Sequence, residues 1–172
     1  MKKITLLLVF IGMITLQSCT VNEDNDTIDN DTIAEVFELR NVNFSYNSST
    51  GGYFIYRTLN PQIYASDVVL IYRMSDLIDS NTPVWQLIPR TLYLQQGELD
   101  YDFDFSKEDF TIYAGGTYDL SLTPGYLTNQ TFRIVLVPGY FSNRMANSVD
   151  HSDYNAVIKA YNINDKNVKV LN

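Results

Sequence analysis

Glu98-Leu99-Asp100-Tyr101-Asp102-Phe103-Asp104-Phe105 alternates acidic and apolar residues over eight consecutive positions. Successive side chains of a β-strand point to opposite faces. Leu99, Tyr101, Phe103 and Phe105 therefore line one face, and Glu98, Asp100, Asp102 and Asp104 the other. Such faces belong to a core and to water respectively. Just upstream, Leu92-Tyr93-Leu94 runs into Gln95-Gln96-Gly97, a turn signal, so residues 91–105 are expected to form a hairpin.

The same period of two, rich in Tyr, Phe, Val and Ile, predicts strands at residues 35–46, 53–58, 67–74, 84–88, 110–113 and 131–137. Turn clusters separate them: residues 47–52, 80–83, 115–116 and 123–125. Pro89 should mark a bulge, an edge or a break. Val68-Val69-Leu70-Ile71 and Ile134-Val135-Leu136-Val137 are continuously apolar, as central strands covered on both faces would be. Tyr154, Val157, Ile158 and Tyr161 form one helical stripe, with Asp150 or Ser152 as N-cap, expected across an open end or edge. Residues 166–171 suggest a last short strand. The expected fold is all-β: an antiparallel β-sandwich or Greek-key barrel of about eight strands with one C-terminal amphipathic helix.

The composition limits the chemistry. The 172 residues are 45% hydrophobic and 13% aromatic, which suits one folded domain rather than a disordered chain. A single Cys excludes a disulfide framework and a Cys-based zinc site, and a single His excludes a His-pair metal site. The formal charge of −8 argues against nucleic acid as a partner. No Gly-rich phosphate loop or Cys-x-x-Cys is present, and no cofactor is expected.

The N-terminus carries an address. Lys2 and Lys3 precede a nearly apolar run, Ile4 to Leu16, too short to span a bilayer, which takes about 20 apolar residues. Leu16-Gln17-Ser18-Cys19 resembles a lipobox, with Gln17 where a small or apolar residue is usual. The resemblance implies a lipoprotein signal peptide over residues 1–18 and acyl chains on Cys19, which would be the membrane partner. Each buried CH₂ adds about 0.8 kcal/mol, so two or three chains make the attachment effectively permanent. Thr20 lacks the Asp that holds some lipoproteins at the inner membrane, which by the same resemblance implies the outer membrane.

Residues 1–18 contain two Lys and no acid, so the remaining chain has a formal charge of −10. Glu23, Asp24, Asp26, Asp29 and Asp31 crowd into residues 19–33 with no basic residue among them. Their repulsion and lack of apolar neighbours predict a flexible stalk, followed by a single β-sandwich domain over 34–172. Acids soon after the lipidated Cys resemble the signal that exports lipoproteins of Bacteroidota to the cell surface; a periplasmic spacer is the alternative. Asp-Thr-Ile occurs twice, at 26–28 and 31–33, and resembles an O-glycosylation site, marking Thr27 and Thr32.

Within the body, Asp100, Asp102 and Asp104 mimic the opening of a calcium loop. Phe105 and Thr111 stand where such a loop needs Gly and Glu, so a solvated acidic face is expected, not a metal site. His151 is expected at the surface or near a cap, Trp85 in the core. Tyr118, Tyr126 and Tyr140 sit near Gly or Pro and are the candidate ligand platform.

Four segments, residues 65–70, 85–94, 129–135 and 154–159, give the chain its resemblance to a family of uncharacterised small lipoproteins of Flavobacteria and other Bacteroidota. Some members carry collagen-like repeats ahead of the same β domain. The resemblance spans roughly residues 35–161; it implies fold and location and carries over no catalytic residue. The expected function is a non-enzymatic binding or structural domain at the outer membrane, on its periplasmic or cell-surface side, with a glycan or an envelope protein as partner. The alternative is an envelope hydrolase, glycosidase-like, with a spatially assembled carboxylate pair.

Cys19→Ser is expected to abolish incorporation of labelled palmitate and to move the protein from the detergent phase to the aqueous phase on partitioning. Retained label would place the acyl chain elsewhere.

Overall fold

The computed structural model describes residues 33–141 and 149–171. The signal run, Cys19, Thr27 and Thr32 lie outside them. Ten strands form two five-stranded sheets. The first sheet has the order β10-β1-β9-β4-β5, built from β1 (Glu35–Val42), β4 (Val68–Asp79), β5 (Thr82–Ile88), β9 (Gln130–Val137) and β10 (Lys169–Val170). The second has the order β2-β3-β8-β7-β6, from β2 (Ser45–Asn47), β3 (Gly52–Thr58), β6 (Arg90–Leu94), β7 (Gly97–Phe105) and β8 (Asp109–Gly116). All pairings are antiparallel except β1 with β10. The fold is an all-β sandwich.

The alternating stretch is β7, and its hairpin partner β6 pairs Leu92 with Leu99 and Thr91 with Asp100. The core between the sheets holds Leu99, Tyr101, Ile112 and Ile55 from the second sheet and Leu39, Ile71, Phe132 and Ile134 from the first. The two continuously apolar runs lie in β4 and β9, inside the first sheet, and both of their faces are covered.

The second cover is α1 (Tyr154–Ala160) with the chain that follows it. Tyr154, Val157, Tyr161 and Ile163 pack on Val36, Leu70, Tyr72 and Val135. The helix thus lies on the outer face of the first sheet, not across an end or edge. The molecule has three layers, and Trp85 belongs to the outer one, its ring 5.6 Å from Tyr154. Asp153, rather than Asp150 or Ser152, caps the helix: its Oδ1 accepts from the amides of Asn155 and Ala156. Asp150 instead accepts from the amide and hydroxyl of Ser152.

Residues 35–46 do not form one strand. The chain leaves the first sheet after Val42 and enters the second at Ser45, turned by Asn41 at φ 53° and the buried Phe44. Pro89 marks the corresponding break on the other side, where β5 of one sheet passes into β6 of the other.

Arg133 fastens the outer layer. It lies on β9 between Glu38 of β1 and Tyr72 of β4. Its Nε is 3.2 Å from Glu38, its Nη1 is 3.1 Å from Asp165, and it donates to the Tyr154 hydroxyl. Its guanidinium lies 4.6 Å from the centre of the Trp85 ring. The Glu38 side chain is only 7% exposed, so removing Arg133 leaves a desolvated carboxylate with the exposed Arg40 as its remaining cation, and strips Asp165 and the Tyr154 hydroxyl of their shared partner.

Arg133→Ala is therefore expected to destabilise the fold by about 3 kcal/mol in denaturant unfolding. Arg40 also pairs with Glu38 but from a 59% exposed position, and Arg40→Ala should lower stability by less than about 1 kcal/mol. Equal effects would refute this division.

Candidate ligand-binding face

Because Ile55, Leu99, Tyr101 and Ile112 point inward, their neighbours along β3, β7 and β8 point out. No layer covers this outer face among the described residues. Register sets the side chains in rows across the strands. Phe54, Tyr113 and Asp102 form one row; Tyr56, Thr111 and Asp104 form the next. A third runs from Gly115 to Asp100 and Thr91, and Tyr93 stands opposite Glu98. Tyr93 is 81% exposed, Tyr56 48% and Tyr113 39%.

The outward positions of these strands carry Glu98, Asp100, Asp102, Asp104 and Asp109 and no Lys, Arg or His. The Tyr113 hydroxyl donates to Asp104 Oδ2 at 2.9 Å, and the Tyr56 hydroxyl to Asp109 Oδ2 at 3.0 Å. A phenolate there would face a carboxylate, so these hydrogen bonds raise both phenols above 10.0. Thr91 Oγ1 donates to Asp100 Oδ1 at 2.5 Å. With the hydroxyl protons committed inward, the carboxylates offer their remaining lone pairs to a ligand.

Between the aromatic residues and the β2–β3 turn lies a trough of about 540 Å³, with Gly52 and Gly115 at its floor and Phe54, Tyr56 and Tyr113 beside it. A Cβ added to Gly52 or Gly115 would meet nothing within 4 Å. Gly116 differs, since a Cβ there would collide with the Glu98 carbonyl. Close packing explains Gly116 and leaves Gly52 and Gly115 without a steric reason. A smaller depression of about 260 Å³, lined by Tyr46, Tyr53 and Tyr118, shares Gly115 with the trough.

The three Tyr singled out in the sequence do not meet in one platform. Tyr126 precedes β9 and Tyr140 follows it, so the strand's length separates them. Tyr118 is half-buried, its hydroxyl 2.6 Å from Thr123 Oγ1, and it lines the smaller depression. The Tyr126 ring lies 5.7 Å from the Arg73 guanidinium, and Tyr140 stacks edge-on with Phe141. The acids of β7 face outward as an open row. His151 lies before α1, with Nε2 3.2 Å from the Tyr161 hydroxyl and its carbonyl accepting from Tyr72. Tyr56, Tyr93 and Tyr113 were in view as strand residues; what sequence alone lacked was the pairing that sets them on the side of the acids.

Two other features are less suited to a ligand. Arg73 is buried inside the sandwich, its Nε donating to Gln130 and its guanidinium 4.7 Å from the Tyr101 ring, so its environment is filled by the fold itself. A wider cleft of about 660 Å³ opens between β1 and the β3–β4 loop, lined by Phe37, Leu59, Ile63 and Lys169, without the matched rows of the outer face.

No protein-family model, curated protein or solved structure matches the chain.

Asp104→Asn is expected to lower the titration midpoint of the Tyr113 phenol toward 10.0, because the negative partner that opposes deprotonation is gone. Tyr ring carbon shifts followed against pH read this directly; an unmoved midpoint would mean that Asp104 is not the partner in solution.

Proposed function

We propose that this chain is an outer-membrane lipoprotein, held by acyl chains on Cys19, whose sandwich binds a component of the envelope without transforming it. The observation that carries the proposal is the asymmetry of the layers. Among the described residues, the central strands β4 and β9 of the first sheet are covered on both faces between Val69 and Tyr72 and between Ile134 and Val137, while the second sheet presents exposed Tyr rings, a glycine-floored trough and a row of carboxylates. Concave surfaces with aromatic walls and a few placed polar groups are what small ligands and chain-like ligands bind. A stalk of acidic residues behind a lipid anchor suits the presentation of such a face, on the periplasmic or the cell-surface side. The resemblance to the small lipoproteins of Flavobacteria supports the location.

The strands supply the rigidity that a binding face needs. Asp100, Asp104 and Asp109 are each oriented by a neighbouring hydroxyl, so ligand contacts start from fixed acceptors rather than mobile ones.

A photo-reactive amino acid placed at Tyr93 in growing cells should cross-link to an envelope component, and one placed at Lys159 on α1 should not. Equal labelling from both positions, or labelling from Lys159 alone, would contradict the proposed face. Cleavage of a bound polysaccharide by the wild-type protein would contradict a purely binding role.

A further inference from the structure

Gly52 and Gly115 lie side by side, one register step beyond the Tyr53–Ala114 pair. Both have ordinary strand conformations with negative φ, and both leave open space where a side chain would stand. Glycine inside a strand weakens it, and its usual reasons are a bulge, a bend or the close approach of another group to the backbone. The pairing of β3 with β8 runs without a register shift, which removes the bulge. Gly52 opens β3 after the β2–β3 turn, and Gly115 stands next to last in β8, where a bend is the other reason. The pairing of β8 with β7 runs on without a shift past Gly115 to Gly116, which favours close approach, and the trough is open to solvent on that side.

We propose that the trough takes sugar rings of a glycan chain that carries no acidic groups, lying against Gly52 and Gly115 with Tyr113 and Phe54 as its wall. This inference rests on the outer face being the binding surface and names its ligand class. A pyranose has a face of C–H groups with slight positive charge, which suits the negative face of an aromatic ring. Its hydroxyls are donors at the rim, and Asp100 and Asp102 stand beside Gly115 and Tyr113 as charged acceptors. The glycine floor admits a flat ring down to backbone level.

Charge narrows the class. Five carboxylates with no cation among the outward positions repel uronate and sulfate groups. Neutral or amino sugars meet no such opposition. A basic polypeptide would match the charge, but Lys and Arg side chains reach carboxylates without needing a floor cleared of side chains.

The test uses the full-length lipoprotein in detergent micelles and affinity electrophoresis through gels containing β-glucan, β-xylan, α-mannan or alginate. At least one neutral glycan should retard the protein, and alginate should not. Gly115→Val fills the trough with a residue that strands favour; it should lower affinity at least tenfold with an unchanged or raised melting temperature. Tyr113→Ala should lower affinity about tenfold, and Gly125→Ala, on a separate turn, should leave it unchanged. Retardation insensitive to Gly115→Val, equal retardation by alginate, or none by any neutral glycan overturns the inference. Loss of glycan binding with cross-linking at Tyr93 intact, and with polylysine bound instead, would overturn the glycan while leaving the face as the binding surface.

Discussion

Arg133 ties the helical layer to the first sheet, and that layer leaves the second sheet's outer face open. The arginine sits on the outer face of the first sheet and draws together Glu38 on β1, Asp165 beyond the helix, the Tyr154 hydroxyl and the Trp85 ring. A guanidinium with two carboxylates, a hydroxyl and an aromatic face satisfies most of what burial takes from it. Around it the apolar side chains of α1 close over Val36, Leu70, Tyr72 and Val135. The network orients this layer, and the apolar contacts supply most of the favourable energy. With both faces of β4 and β9 occupied at the centre of that sheet, the outer face of β3, β8 and β7 in the second sheet is one that no layer covers among the described residues.

That face is built to accept rather than to pack. Two strand glycines lie at its floor, each weakening the sheet by roughly 0.5–1 kcal/mol relative to Ala. Its Tyr hydroxyls point their protons at Asp104 and Asp109, fixing the carboxylates and raising the phenols. Tyr56 and Tyr113 stand exposed beside the trough, and Tyr93 stands exposed on β6 opposite Glu98. The acids also discourage association of the exposed aromatic rings of one copy with those of another, because each face repels its like.

Much of this was legible in the chain. Residues 98–105 could satisfy period two only as a strand with one wet face, and they form one; Leu99 and Tyr101 are buried, whereas Phe105, at the strand's end, is exposed instead of lying in the core. The apolar runs at 68–71 and 134–137 announced strands buried on both sides, which requires a third layer. The stripe Tyr154, Val157, Ile158, Tyr161 supplied that layer, yet its placement on the outer face was hidden, because nothing in a helix names the sheet it covers. The strand expected over 35–46 failed at Asn41 and Phe44, where a left-handed residue and a buried ring carry the chain between sheets. Asp153 displaced Asp150 as cap by a shift of helix start that sequence fixes poorly. The Tyr platform was misplaced for a related reason: proximity to Gly and Pro marks loops, whereas the exposed rings came together through the pairing of β3, β8 and β7.

The central claim is that the outer face of the second sheet is occupied in the cell. Hydroxyl-radical footprinting of the Tyr side chains, in isolated envelopes and on the purified full-length protein, tests it without knowledge of the ligand. Tyr56, Tyr93 and Tyr113 should lose modification in the envelope, while Tyr64, exposed beside the wider cleft at the β3–β4 loop, keeps it. Unchanged modification of the three face residues, or protection of Tyr64 in their place, would contradict the account.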